Sequence, residues 1–316
     1  MEDRHSTFST LQHLLQLSYS ENPEDQQKAA VDLSKLVNGT VFPAVSFGPL
    51  AHALCKLIPS NNRTVSSYSA RALKILLLDD ALRPQTIVAG VPAVVCSAIK
   101  QWEDEILCLR ELLGALQTLS WDRQCVRGVL QTDIICSLID YIKASDQEVS
   151  VLAVATLANI CSYSDTLLLG DAVAIETLGK AVPSLVEALK NAHQKPTRLY
   201  AAAAVANASY HPRLAALLLD AGALQLCREL ERQSLMNLHV LGSKLGECAQ
   251  TAVYRLSDKK EGDPKVGGAK YTFKWGTKPV MELSLVPYAK HSTLILVCFA
   301  LWVGVVLFTF MPLLFA

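Results

Sequence analysis

Through residues 1–256 apolar side chains recur every three or four positions, in stretches of ten or so broken by short polar runs. That spacing places the apolar residues on one face of an α-helix. It predicts six amphipathic helices: Thr10–Tyr19, Pro49–Leu57, Pro92–Trp102, Ile134–Lys143, Val182–Ala192 and Gly222–Gln233. Polar turns such as NPEDQQK, SNNRTV, KASDQEV and NAHQKPTR follow them, each leading into a second helix rich in small residues. In three units a further short helix comes first, at Pro84–Ala89, Arg123–Gln131 and Pro212–Ala221.

The second helices are alike. They contain AAVDLSKL (Ala29–Leu36), SARALKIL (Ser69–Leu76), LLGALQTL (Leu112–Leu119), AVATLANI (Ala153–Ile160), AAAAVANA (Ala201–Ala208) and AQTAVYRL (Ala249–Leu256). Taking the fifth position of each as a marker gives Leu33, Leu73, Leu116, Leu157, Val205 and Val253, spaced by 40, 43, 41, 48 and 48 residues. A period in the forties without a strand signal predicts a stack of helical repeats. Ala153, Ala201 and Ala249 let neighbouring helices approach closely, where a long side chain would push the layers apart.

AVATLANI closely matches A-x-x-A-L-x-N-[LI], and with it the chain resembles the armadillo-repeat family. DIICSLIDYIKASDQEVSVLAVATLANI reads as a nearly complete repeat, and KAVPSLVEALKNAHQKPTRLYAAAAVANA is the next-best match. The likeness is strongest in residues 122–222; the first, second, third and sixth repeats are degenerate. It implies an all-α, right-handed superhelix of about six repeats, with a concave groove lined by the last helix of each. Such folds bind extended peptides or partner domains and seldom carry catalytic residues. In peptide-binding members a column of Asn on that helix hydrogen-bonds the ligand backbone, because a carboxamide offers both a donor and an acceptor. The corresponding positions are Lys35, Ile75, Thr118, Asn159, Asn207 and Arg255. The candidate groove contacts are therefore Asn159, Asn207, Lys35, Arg71 and Arg255. Asn159 and Asn207 equally suit bracing a helix end, and residues such as Lys35, Arg71 and Arg255 are more often solvated surface charges than ligand contacts. Readers of basic import peptides carry Trp two positions before the marker. Here those positions are Val31, Arg71, Gly114, Ala155, Ala203 and Thr251, so that cargo class is not expected.

The hydrophobic pattern changes at the carboxyl end. Leu294–Ala316, LILVCFALWVGVVLFTFMPLLFA, runs 23 residues without a charge. As a helix it would be roughly 34 Å long, enough to cross a hydrocarbon core of about 30 Å. Lys290 and His291 precede it where basic residues mark the cytosolic end. The arrangement resembles that of a tail-anchored protein with a cytosolic amino terminus. The long span, with no basic residue after it, favours the endoplasmic reticulum or connected membranes, with the mitochondrial outer membrane as the alternative.

The intervening segment, residues 257–291, is rich in Lys, Gly and Pro and is expected to be a flexible linker. Lys270, Lys274 and Lys278 interleave with Tyr271, Phe273 and Trp275. With Lys290, this aromatic-basic mix suits an anionic membrane surface. Equally, the YTFKW stretch suits a cap on the last repeat. The division expected is thus a helical-repeat domain over 1–256, a linker over 257–291 and a membrane anchor over 292–316.

Composition narrows the function. With 51% hydrophobic and 18% charged residues the chain is not a largely disordered one. Lys+Arg and Asp+Glu balance at 29 each, which counts against a nucleic-acid binder. Nine Cys are scattered with no CxxC pair, as expected for buried thiols in a reducing compartment rather than disulfides or zinc. No GxSxG, HExxH, GxxxxGK[ST] or GxGxxG occurs, so no catalytic residue, metal, cofactor or small-molecule substrate is expected. The sequence thus points to a membrane-tethered adaptor whose groove takes a cytosolic protein or extended peptide. Regulation of a small GTPase, as exchange factor or chaperone, and an accessory role in a membrane complex are the alternatives.

Overall fold

A computed structural model of the chain describes residues 2–38, 46–79, 83–164, 171–191, 195–236 and 244–257, with two short strands at 270–271 and 283–284. The described helices group into six units. The first two units each supply a pair, α1 (Glu2–Ser18) with α2 (Pro23–Val37) and α3 (Phe47–Leu57) with α4 (Arg63–Leu76). The third comprises α5 (Arg83–Val88), α6 (Val91–Gln101) and α7 (Ile106–Leu119), and the fourth α8 (Arg123–Leu130), α9 (Ile134–Tyr141) and α10 (Gln147–Cys161). The fifth comprises α11 (Ala172–Gly179), α12 (Val182–Asn191) and α13 (Lys195–Ala208), and the sixth α14 (Pro212–Asp220), α15 (Ala223–Met236) and α16 (Lys244–Ser257).

The last helices of the units form one continuous layer, α2 on α4, then α7, α10, α13 and α16. A second layer runs alongside it, where α1 packs on α3, α3 on α6 and α12 on α15. The short first helices fill the edge, α5 against α8 and α11 against α14. The chain is thus an all-helical repeat solenoid through residue 257, with contacts running from each unit to the next. The markers explain the stacking. Leu33, Leu73, Leu116, Leu157 and Val205 are 0–1% exposed, and Val253 in the terminal unit is half-buried. Around them Ala153, Ala201 and Ala249 are buried, and their small side chains allow the close approach of successive helices.

The polar turns start the last helices by capping them. Asn22 accepts a hydrogen bond from the Glu24 amide at 3.0 Å, Asn62 from Thr64 at 2.9 Å, and Asp146 from Val149 at 3.0 Å. Each cap of this kind contributes about 1 kcal/mol. Gly90 (φ 73°) and Gly222 (φ 78°) turn the chain sharply from α5 into α6 and from α14 into α15. Only glycine adopts that left-handed conformation without cost.

Three features differ from the sequence expectation. Helix α11 was not foreseen: its AVAIETLG is eight residues with four apolar ones in succession, too short for a helical period to stand out. Helix α1 begins at Glu2 rather than Thr10, through a polar stretch with no apolar stripe to reveal it. Within the expected linker, β1 (Lys270–Tyr271) pairs antiparallel with β2 (Leu283–Ser284), and β1 lies against α13. No described helix is long and apolar enough to cross a membrane. The expected anchor over 292–316 lies outside the described residues, as do Lys274, Trp275, Lys278 and Lys290.

Candidate interaction surface: the layer of last helices

All five candidate groove residues sit on the layer of last helices: Lys35 on α2, Arg71 on α4, Asn159 on α10, Asn207 on α13 and Arg255 on α16. The layer places them in series rather than in one cluster, and it gives them different surroundings.

Lys35 is the most open, with its side chain 72% exposed and an ion pair to Asp32 one turn back at 3.0 Å. Arg71 belongs to a denser arrangement. Its Nε and Nη2 donate to Glu111 Oε1 on α7 at 2.9 and 2.7 Å, while Lys74 Nζ donates to Oε2 of the same carboxylate at 2.6 Å. Burial alone would push the Glu111 carboxyl up, but the bonds and charges of Lys74 and Arg71 outweigh it and hold the group below its ordinary value. The ladder continues to α10, where Arg110 pairs with Asp146 and reaches Glu148 at 3.5 Å. Asp146, held below the ordinary carboxylate range chiefly by Arg110, also caps α10. One carboxylate therefore starts a helix and ties it to the preceding unit. Three cations (Arg71, Lys74, Arg110) meet three carboxylates (Glu111, Asp146, Glu148), so this cluster carries no net charge.

Beyond α10 the surface changes. Asn159 and Asn207 are fully buried. The Asn159 carboxamide donates to Ser120 Oγ at 2.8 Å, and that of Asn207 donates to the Ala158 carbonyl at 2.8 Å. Each amide thus reaches back to the end of the previous last helix and braces two units. Ser164 Oγ reinforces this by donating to the Asn207 carbonyl at 3.0 Å, and Tyr163 Oη donates to the Trp121 carbonyl at 2.5 Å. A paired buried amide is stabilising, whereas an orphaned carbonyl there would cost about 1–3 kcal/mol. Arg255 on α16 stacks over Tyr210, its guanidinium 4.0 Å from the ring centroid.

Sequence reasoning missed Lys74, Glu111, Arg110 and Asp146. The pairs they form bridge positions 36–40 residues apart, close to the repeat period, and that offset was the signal that would have found them. Lys270 lies in β1, which packs against α13 of the fifth unit. Among the described residues no group of three or more His, Cys, Asp or Glu is placed to hold a metal ion. An open depression of about 1360 Å³ lies between α12 and α15, lined among others by Glu187, Lys190, Arg228 and Arg232; it carries no catalytic constellation.

No protein-family model matches the chain, and no curated protein does. Solved structures do. A designed armadillo repeat protein superposes with a TM-score of 0.65 at 19% identity, over 78% of this chain and 99% of the other. Another designed armadillo repeat protein, in complex with the peptide (KR)4, gives 0.64 at 20% identity over the same shares. An engineered protein gives 0.64 at 24% identity, over 78% of this chain and 96% of its own. The likeness is one of fold: an all-α solenoid of armadillo-like repeats.

Proposed function

We propose that the protein is a docking adaptor: the layer of last helices receives an extended segment of a partner protein, and the carboxyl end ties the platform to a membrane. The observation that carries the first half is the unbroken succession α2–α4–α7–α10–α13–α16, the surface along which an armadillo-like solenoid can take a peptide. Support comes from a solved neighbour of the same fold that is in complex with a peptide. On α4, α7 and α10 the charges cancel in pairs, which favours a partner segment of mixed or apolar character over a run of basic residues. The second half is supported by the uncharged stretch Leu294–Ala316. The length of that stretch favours the endoplasmic reticulum or connected membranes.

Two measurements on the full chain test this. Proximity labelling from the intact protein, beside a chain whose residues 294–316 are replaced by a polar sequence of equal length, is expected to return one partner set at a membrane and to lose the membrane proteins in the variant. After alkaline extraction of cells, the intact chain should stay in the pellet and the variant should not. An intact chain in the aqueous fraction would overturn the tether. A platform that holds no partner through substitutions on α4 and α7 would overturn the docking role.

A further inference from the structure

Where α12 meets α15 the layer of second helices dips. Helix α14 packs on both of them, and the chain turns from α14 into α15 through Ala221 and Gly222. These two residues, with almost no side chain, border the open depression of about 1360 Å³. A methyl group on Gly222 would meet nothing within 4 Å, so the space beside it is open. Val186, Leu219, Leu224 and Leu226, buried or half-buried, line it with apolar surface. The rim is charged on both sides. Glu187 and Lys190 stand exposed on α12, and Arg228, Glu229 and Arg232 on α15. Its two carboxylates are already engaged. Lys143 of the fourth unit holds Glu187 at 3.0 Å, while Gln233 donates to Glu229 at 2.9 Å and Arg232 lies 3.8 Å from it. Two of the cations differ. Among the described residues Lys190 meets no carboxylate, and Arg228 donates to the neutral Ser257 Oγ at 3.2 Å.

We propose that the α12–α15 groove is a second docking site, which takes an amphipathic helix of a partner protein edged with carboxylates. A groove walled by two helices and lined with aliphatic side chains suits a third helix, whose apolar stripe packs between the ridges of the walls. Lys190 on one wall and Arg228 on the other then meet carboxylates at the two edges of that helix. A helix edged with lysines would offer the same apolar stripe but would set like charges against both cations. The contrast with α4, α7 and α10 is one of charge. There the cations converge on carboxylates of the chain itself, whereas here two cations face the groove without one. The site lies on the layer of second helices, so it goes beyond the docking role above and does not depend on it. A chain with both sites holds two partner segments at once.

The test uses the full chain in detergent and a fluorescein-labelled synthetic peptide of roughly four helical turns, with leucines along one face and glutamates along both edges. A second peptide carries lysines in place of the glutamates. The glutamate peptide is expected to bind the unaltered chain about ten-fold more tightly than the lysine peptide. Lys190→Glu together with Arg228→Glu should reverse that preference, weakening the glutamate peptide about ten-fold and strengthening the lysine peptide. Both residues are exposed, so the double substitution leaves the core untouched. Lys35→Glu, on α2, should change neither affinity. A benzophenone on the leucine face of the glutamate peptide should cross-link within residues 183–191 or 221–232. Equal affinity for the two peptides, a preference that survives the double substitution, an equal loss through Lys35→Glu, or cross-links confined to other helices would overturn the proposal. Partner capture lost through substitutions on α4 and α7 concerns the adaptor reading alone and leaves these peptide affinities unchanged.

Discussion

Glu111 shows how much one carboxylate can hold when two cations from a neighbouring unit converge on it. Its folded pKa lies below the ordinary 4.5, so its contribution is fully present above that pH and is lost as pH falls through the lower folded value. Glu111→Gln should therefore lower stability by about 1–2 kcal/mol at neutral pH. Urea titrations of both chains should converge once pH has fallen below the lowered folded value, where the glutamate is protonated and resembles its amide. The cysteines offer a second check. Burial pushes the Cys125, Cys161 and Cys227 thiols up to about 12, while Cys136 is exposed. Since the thiolate is the reactive form, iodoacetamide at pH 8 should label Cys136 in the native protein. The three buried thiols should be labelled only in urea, as peptide mapping would show. The sequence supported their burial, because each lies alone in an apolar stretch. It did not reveal the charge ladder locally, since Arg110 lies on α7 and Asp146 caps α10, and only their near-period offset links them.

Among the elements, the last helices were the most legible. Their small-residue pattern repeats, and the polar turns before them were visible in the sequence, though not the caps that Asn22, Asn62 and Asp146 supply there. The helices that precede them in each unit followed from their apolar stripes to within a few residues, except at the start of α1. Helix α11 was hidden because short helices at the edge of the stack need little periodicity to be held by α9 and α14. The β1–β2 pair was hidden for another reason: two-residue strands carry no alternation, and their position depends on the surface they meet. Of the candidate site, the positions were legible and the partners were not; Asn207 was visible as a candidate, its bond to the Ala158 carbonyl was not. Gly90 and Gly222 supply a test at this scale. A methyl group at either would meet nothing within 4 Å, so only the backbone resists substitution. Gly90→Ala and Gly222→Ala should each cost about 1–2 kcal/mol in chemical denaturation. Asn at the same positions should cost less, because it tolerates the left-handed region.

In the molecule as a whole, contacts pass from unit to unit, so stability should be graded along the chain rather than shared evenly. The interior last helices α4, α7, α10 and α13 have a neighbouring last helix on both sides, whereas α2 and α16 have one. Hydrogen exchange of the full chain should therefore find the slowest amides in α4, α7, α10 and α13 and markedly faster ones in α2 and α16. Uniform protection from α2 to α16 would show instead a single cooperative block.

The alanines that let α7, α10 and α13 nest so closely also make this midsection a fulcrum. Widening it with Ala153→Leu would wedge the stack apart at its centre, and the terminal units, acting as long arms, would swing much farther than the wedge itself is thick. Small-angle scattering of the variant should then register a change in overall dimensions out of proportion to three added carbon atoms. The curvature of the whole platform is in this sense set by the thinnest side chains it contains.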